Sequence, residues 1–270
     1  MNRKLTAIFF ILLLLAGATE SRAAEVRTII VGTQADNAGT SYLDEKGRLT
    51  GFEVEVLREI ARRLPEYSFE FKTMDFATLF IELGAKKVDV ITSNIAWTPE
   101  RAEKYLFTKE NFYGTPYKIV LKGNDDSIKS FQDLAGRKIG VLGTALQAKL
   151  LADYVQKHKI ATEIVPAKSN TELVSLLFAD RVDALLLPEH QAVVFKKYRD
   201  RDLKAVGRGI AQPNTTPEQA GAHLLLDKSD LALRDRLDWA LQEMRKDGAL
   251  NRISLAWFDQ DFTVPFEVEE

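Results

Sequence analysis

The chain contains no cysteine. That absence removes disulfides, thiolate catalysis, zinc–sulfur sites and lipid attachment to a cysteine together. Only three histidines occur, His158, His190 and His223, and their spacing fits no metal-ligand pattern. No Walker loop, Gly-x-Ser-x-Gly elbow or dinucleotide fingerprint is present, so no cofactor is expected. Long basic blocks are missing too. With 37 Lys+Arg against 39 Asp+Glu, the near-balance of charge argues against nucleic acid as a partner. No apolar run reaches the roughly 18 residues that a membrane-spanning helix requires. Solenoid repeats and low-complexity linkers are absent.

What is present begins with an export pattern. Arg3 and Lys4 form a basic start, residues 5–18 are apolar, and Ser21-Arg22-Ala23 offers small residues at the cleavage positions. Residues 1–23 therefore read as a signal peptide cut after Ala23. The mature chain of about 245 residues can bury a sizeable core, as one large domain or two small ones. An exported protein without disulfides must be held by that core alone.

Strand-like and helix-like segments alternate along the chain, which predicts an α/β architecture with largely parallel sheets. Strands are expected at 26–33, 69–74, 88–93, 117–122, 137–142, 163–166, 182–187 and 220–226. Helices are expected at 51–64, 78–83, in the segment after Gly143-Thr144, at 170–178, and from a cap at Ser229 or Asp230 through Met244. In the first helix Val56, Ile60 and Leu64 recur at spacing four; in the last, Leu233, Leu237, Ala240, Leu241 and Met244 form the apolar stripe. The phasing restarts near Tyr117 and returns near Ala220. Two α/β lobes joined by two connections, with a cleft between them, fit this order.

The most informative stretch is residues 91–110, ITSNIAWTPERAEKYLFTKE. A strand runs into a polar turn in which Thr98 is a natural N-cap and Pro99 suits the first helical position. Arg101 then falls in the first turn, where the helix dipole mildly disfavours a cation. An arginine held there needs an anion. Either Glu100, Glu103 or a distant carboxylate supplies it, or a ligand carboxylate occupies the guanidinium fork.

Five segments in order carry a family resemblance: GFEVEVLREIARRL from 51, KKVDVITSNIAWTPERAEKYLFT from 86, SFQDLAGRKIGVLGT from 130, LLFADRVDALLLPE from 176, and KSDLALRDRLDWALQEMRKDGALNRISLAWF from 228. Together they resemble the periplasmic solute-binding proteins of the amino-acid ABC importer type, extracellular solute-binding family 3. The resemblance implies the type II two-lobe periplasmic-binding-protein fold, with residues 24–117 and 221–270 in lobe 1 and 118–220 in lobe 2. It also implies a monomer that captures a small carboxylate-bearing solute for an inner-membrane permease. By the same resemblance Arg101 clamps the solute's carboxylate, Thr144 assists from a lobe 2 helix start, Ser93 and Asn94 face the solute, and Phe76 packs on its side chain. Asn37, Gln34 and Glu189 complete the expected ligand-binding set.

Some positions differ from the family pattern. Ala96 stands where a hydroxyl residue is usual, and Pro188 stands where an aspartate pairs with the α-ammonium. Gln34 to Thr40 replaces an aromatic lid. Either Glu189 takes over from the aspartate, or the ligand has no α-ammonium, because an unpaired buried ammonium would cost several kcal/mol. Two other functions share the fold: an exported dehydratase-like enzyme, with Glu189 as its acid/base group, and a binding module feeding a membrane sensor. Glu189-His190 reads as a solvated loop pair, Trp97 as core packing or a stacking surface, and Trp257 and Phe258 as packing onto lobe 1. Asn214-Thr215-Thr216 matches a glycosylation sequon at chance level.

Overall fold

The computed structural model describes residues 26–114, 116–143, 146–211, 219–264, 266 and 268. The export segment, Thr144 and the 214–216 sequon lie outside the described residues. Thirteen strands are found among those described: β1 Arg27–Thr33, β2 Asp36–Asn37, β3 Ser41–Leu43, β4 Leu49–Thr50, β5 Tyr67–Thr73, β6 Val90–Ala96, β7 Leu106–Phe107, β8 Tyr117–Lys122, β9 Lys138–Leu142, β10 Glu163–Ala167, β11 Ala184–Pro188, β12 Leu203–Ile210 and β13 Ala222–Leu226. The α-helices are α1 Phe52–Arg63, α2 Phe76–Gly84, α3 Pro99–Lys104, α4 Leu146–Lys157, α5 Asn170–Phe178, α6 Glu189–Arg199, α7 Leu231–Lys246 and α8 Ala249–Phe258.

Two five-stranded sheets share one plan. The first runs β5-β1-β6-β13-β7 and the second β10-β9-β11-β8-β12. In each, the first three strands run parallel, and the fourth runs antiparallel between the third and the fifth. The fourth strand is the one delivered across the molecule: β13 returns to the first sheet after 211–221, and β8 enters the second after 108–116. Central strands β11 (ALLLP) and β13 (AHLLL) are buried at every position. That explains their near-continuous apolar sequences, since both faces are covered.

Helices α1, α7 and α8 cover one face of the first sheet. Phe52, Val56, Leu57, Ile60, Leu237, Leu241, Met244 and Phe258 are all fully buried there. Each buried side chain of that size contributes about 1.5–3 kcal/mol. Helix α2 closes the other face through Leu79 and Leu83. In the second sheet, α4 with the short turn Phe131–Leu134 covers one face, and α5 with α6 covers the other. Ser130 and Asp133 form a capping box at that turn.

The two connections are bonded to one another. Phe112 N–H donates to Ala222 O at 3.1 Å, and Ala222 N–H donates to Tyr113 O at 2.8 Å. Gly221 has φ +105, and a Cβ on it would lie 2.4 Å from Tyr113 O. Only glycine fits this close crossing.

Four features differ from the sequence expectation. Helix α6 begins at Glu189, so Glu189-His190 opens a helix and is not a solvated loop pair. Strand β12, helix α8 and the small sheet β2-β3-β4 were not anticipated either. In α6 the apolar run Ala192–Phe195 serves two masters, which blurs its 3.6-residue period. Ala192 and Phe195 enter the second sheet's core, while Val194 joins the first sheet's core, with Val193 and Tyr198 packed against it.

Candidate functional site

The C-terminal end of β6 and the turn into α3 form the centre of the site. Thr98 caps α3, its Oγ1 accepting from Arg101 N–H at 3.2 Å, with Pro99 at the first position. The guanidinium folds back so that Nη1 donates to Ala96 O at 2.9 Å. Its carbon lies 5.9 Å from the Phe76 ring centroid and 5.4 Å from that of Phe80. Phe76 is the first residue of α2, which Asp75 caps through Thr78 N–H at 3.0 Å. Both rings thus offer their electrons to the cation.

No acid among the described residues forms an ion pair with Arg101. Burial pushes its pKa down, and Tyr117 and Glu100 push back weakly. It remains charged, because arginine does not titrate in any accessible range. Tyr117 is the first residue of β8, so the guanidinium faces the start of the second sheet, and its charge offsets part of the rise that burial imposes on the Tyr117 hydroxyl.

Near the C-terminal ends of β1 and β6 lies a set of polar contacts. Ser93 Oγ donates to Gln34 Oε1 at 2.6 Å. Ser41 Oγ donates to Gln34 O at 2.6 Å and contacts Thr33 Oγ1 at 2.8 Å. Asn37 turns the loop, its carbonyl accepting from Thr40 N–H and Thr40 Oγ1, both at 3.1 Å. Asn94 sits at φ +51, a left-handed conformation that asparagine tolerates better than most residues. The structure therefore places Gln34, Ser93, Asn94, Arg101 and Phe76 at or just beyond the C-terminal ends of the first sheet's parallel strands. Asn37 lies in the neighbouring hairpin.

Glu189 stands apart from them. It opens α6 directly after Pro188, and its Oε1 accepts from Lys118 Nζ at 2.8 Å. Both side chains are about one-fifth exposed, so water screens the pair only partly. Lys118 carried no signal in the sequence. It sits in β8 opposite Leu187, and only strand pairing brings it to Glu189.

His190, the next residue, is fully buried. Burial drops its pKa to about 3, so the ring is neutral. It rests against Tyr113 at 5.5 Å and Phe258 at 5.9 Å, and accepts from the Gln191 amide at 3.1 Å. A neutral, enclosed imidazole is structural here and forms no acid–base couple with Glu189. Further along α6, Tyr198 Oη donates to Trp257 O at 3.0 Å and Lys197 Nζ reaches Asp259 at 3.0 Å. A surface concavity of about 510 Å³ near Tyr198, Trp257, Glu59 and Arg252 touches none of the candidate residues.

Two sheets of one plan, joined by paired connections and overlooked by an arginine without a described acidic partner, define a type II two-lobe solute-binding fold. The chain belongs to the bacterial extracellular solute-binding proteins, family 3, whose family model matches residues 29–260. It is 32% identical over 251 residues to the L-cystine-binding protein TcyK of Bacillus subtilis, covering 92% of this chain and 90% of that one. It is 33% identical over 256 residues to a probable amino-acid ABC transporter-binding protein of Haemophilus influenzae, covering 92% and 91%. Among solved structures, the probable amino-acid ABC transporter extracellular-binding protein YtmK of Bacillus subtilis superposes with a TM-score of 0.79 at 32% identity, covering 88% and 100%. These relatives are binding proteins. The protein is accordingly a solute-binding component of an ABC importer and not an enzyme, and the dehydratase-like alternative falls away.

Proposed function

We propose that the protein captures a small carboxylate-bearing solute, an amino acid or related organic acid, in the periplasm and hands it to the permease as a monomer. Residues 1–23 act as the cleaved export signal, and the two lobes meet at the crossings 108–116 and 211–221. The observation that carries the reading is Arg101: a largely buried guanidinium without a described acidic partner, held by Ala96 O and flanked by Phe76 and Phe80. A carboxylate there gains two parallel charge-assisted hydrogen bonds. Ser93, Asn94, Gln34 and Asn37 line the approach from lobe 1, and Thr144 and Glu189 answer from lobe 2. Contacts available only with the lobes together shift the hinge equilibrium toward closure.

The relatives named for cystine and amino acids favour a ligand with an α-ammonium. Glu189 is the nearest acid to the position that Pro188 occupies, and it must exchange Lys118 for that ammonium on binding. A thermal-shift screen tests this with L-cystine, the standard amino acids and matched acids lacking the amino group. A binder at a hundred times its dissociation constant adds about 2.7 kcal/mol of stability. A shift with amino acids alone supports the ammonium role of Glu189. A shift only with the amino-free acids removes that role and keeps Arg101; no shift with any carboxylate refutes the proposal.

A further inference from the structure

Glu53 is fully buried, yet no cation faces it among the described residues. Its carboxylate is surrounded by three donors, two from β6 and one from the connection after β7. Oε1 accepts from Asn94 N–H at 2.7 Å and from Tyr113 Oη at 2.9 Å, and Oε2 accepts from Thr92 Oγ1 at 2.5 Å. The second helical position of α1 adds the positive end of the helix dipole. The backbone of α1 is fastened there as well: Phe52 N–H donates to Gly39 O and Glu53 N–H to Thr40 O, both at 3.0 Å. Gly51 permits this approach, since a Cβ on it would lie 2.2 Å from Thr40 O.

Replacing this carboxylate by apolar atoms would leave three buried donors without an acceptor. Those donors belong to the two places where geometry matters most for a hinge-closing receptor. Asn94 is the left-handed residue near the end of β6; its backbone N–H donates to Glu53, and its neighbour Ser93 donates to Gln34. Tyr113 belongs to the first connection between the sheets, where it pairs with Ala222, the first residue of β13 after the second connection.

We propose that Glu53 is a positioning residue, whose carboxylate fixes the turn at Asn94 and ties it through Tyr113 to the crossing between the lobes. The inference rests on the reading of the β6 end as the solute's seat. The titratable groups around the carboxylate are Tyr113 and, beyond its ring, neutral His190 of α6. Burial favours the protonated form of Glu53, while all three donors favour the charged one.

The test compares the full mature chain with Glu53→Gln and Tyr113→Phe, using L-cystine as probe and the Asn94 backbone amide resonance as a local signature. A neutral acceptor is weaker than a carboxylate, so Glu53→Gln moves the Asn94 amide upfield and lowers L-cystine affinity about tenfold, with the melting temperature held within a few degrees. Tyr113→Phe keeps the Asn94 amide in place and still lowers affinity, because only the link to the crossing is cut. Should Glu53→Gln fail to fold, Tyr113→Phe carries the affinity test. Unchanged affinity in the folded variants overturns the proposal, and so does an unmoved Asn94 amide in Glu53→Gln. If the wild type ignores L-cystine, the choice of ligand fails, and the amide signature alone then decides the role of Glu53.

Discussion

The two lobes share a strand plan but equip their facing edges differently. The first sheet presents a prearranged set: Gln34, Ser93 and Asn94 held by side-chain hydrogen bonds, and Arg101 folded onto Ala96 O between two rings. The second presents an ion pair, Lys118–Glu189, together with a helix, α6, that leans on the first lobe's core. Lobe 1 therefore resembles a finished half-site, because its polar groups already have partners and need little ordering when a solute arrives. Lobe 2 offers groups that can change partners. On the reading proposed above, a solute that binds the rigid half first and then closes the adjustable half costs the least ordering entropy.

The largest expected effect falls on the finished half. Arg101→Ala should weaken carboxylate binding at least about hundredfold by calorimetry, because the solute's charge would lose its only described cation there. The fold should survive, since no described ion pair is broken; retained affinity would move the solute to another site. Next comes the crossing. Gly221→Ala forces a left-handed φ and a clash with Tyr113 O, and should cost more than about 1 kcal/mol in denaturant unfolding.

The adjustable half should respond to acid. His190 has a pKa of about 3 in the folded chain against an unfolded value near 6.5. A depressed pKa means that the unfolded chain binds the proton first. Stability is therefore complete above about pH 6.5 and falls as pH drops toward 3, by up to about 1.4 kcal/mol per unit. Urea titrations at pH 7 and 5 should show this slope in the wild type and lose most of it in His190→Leu. Equal slopes would mean that the imidazole is not enclosed.

Smaller still is the Lys118–Glu189 pair. Glu189→Gln leaves a partly buried lysine without its acid and should cost about 1 kcal/mol, discounted for the water that reaches both groups. If Glu189 also meets an α-ammonium, amino-acid affinity falls in this variant while affinity for amino-free acids holds. An equal drop for both ligand sets would leave the two halves alike in function.

Much of the architecture could be read directly. The periodic stripe of α7 is fully buried from Leu233 through Met244, and Asp230, one of two expected caps, accepts from Leu233 N–H at 3.2 Å. Thr98 and Pro99 shape α3 as local rules demand. Trp257 and Phe258 pack onto the first lobe's core as expected. What could not be read was whatever faces two ways or lies in a short strand. Helix α6 divides its apolar residues between two cores, and β12 is interrupted by a register shift after Val206.

The sequence by itself determined the alternation of strands and helices, the restart near Tyr117, the turn that presents Arg101 and, through its five ordered segments, the family. Those are local matters of period, caps and turns, or of resemblance. Tertiary structure alone decided which charges meet. Lys118 lies 71 positions from Glu189 and Glu53 lies 60 from Tyr113, and no local rule relates residues so far apart. Strand order brings the first pair together across β8 and β11. The crossing between the sheets brings Tyr113 over the start of α1, where a buried carboxylate can hold both.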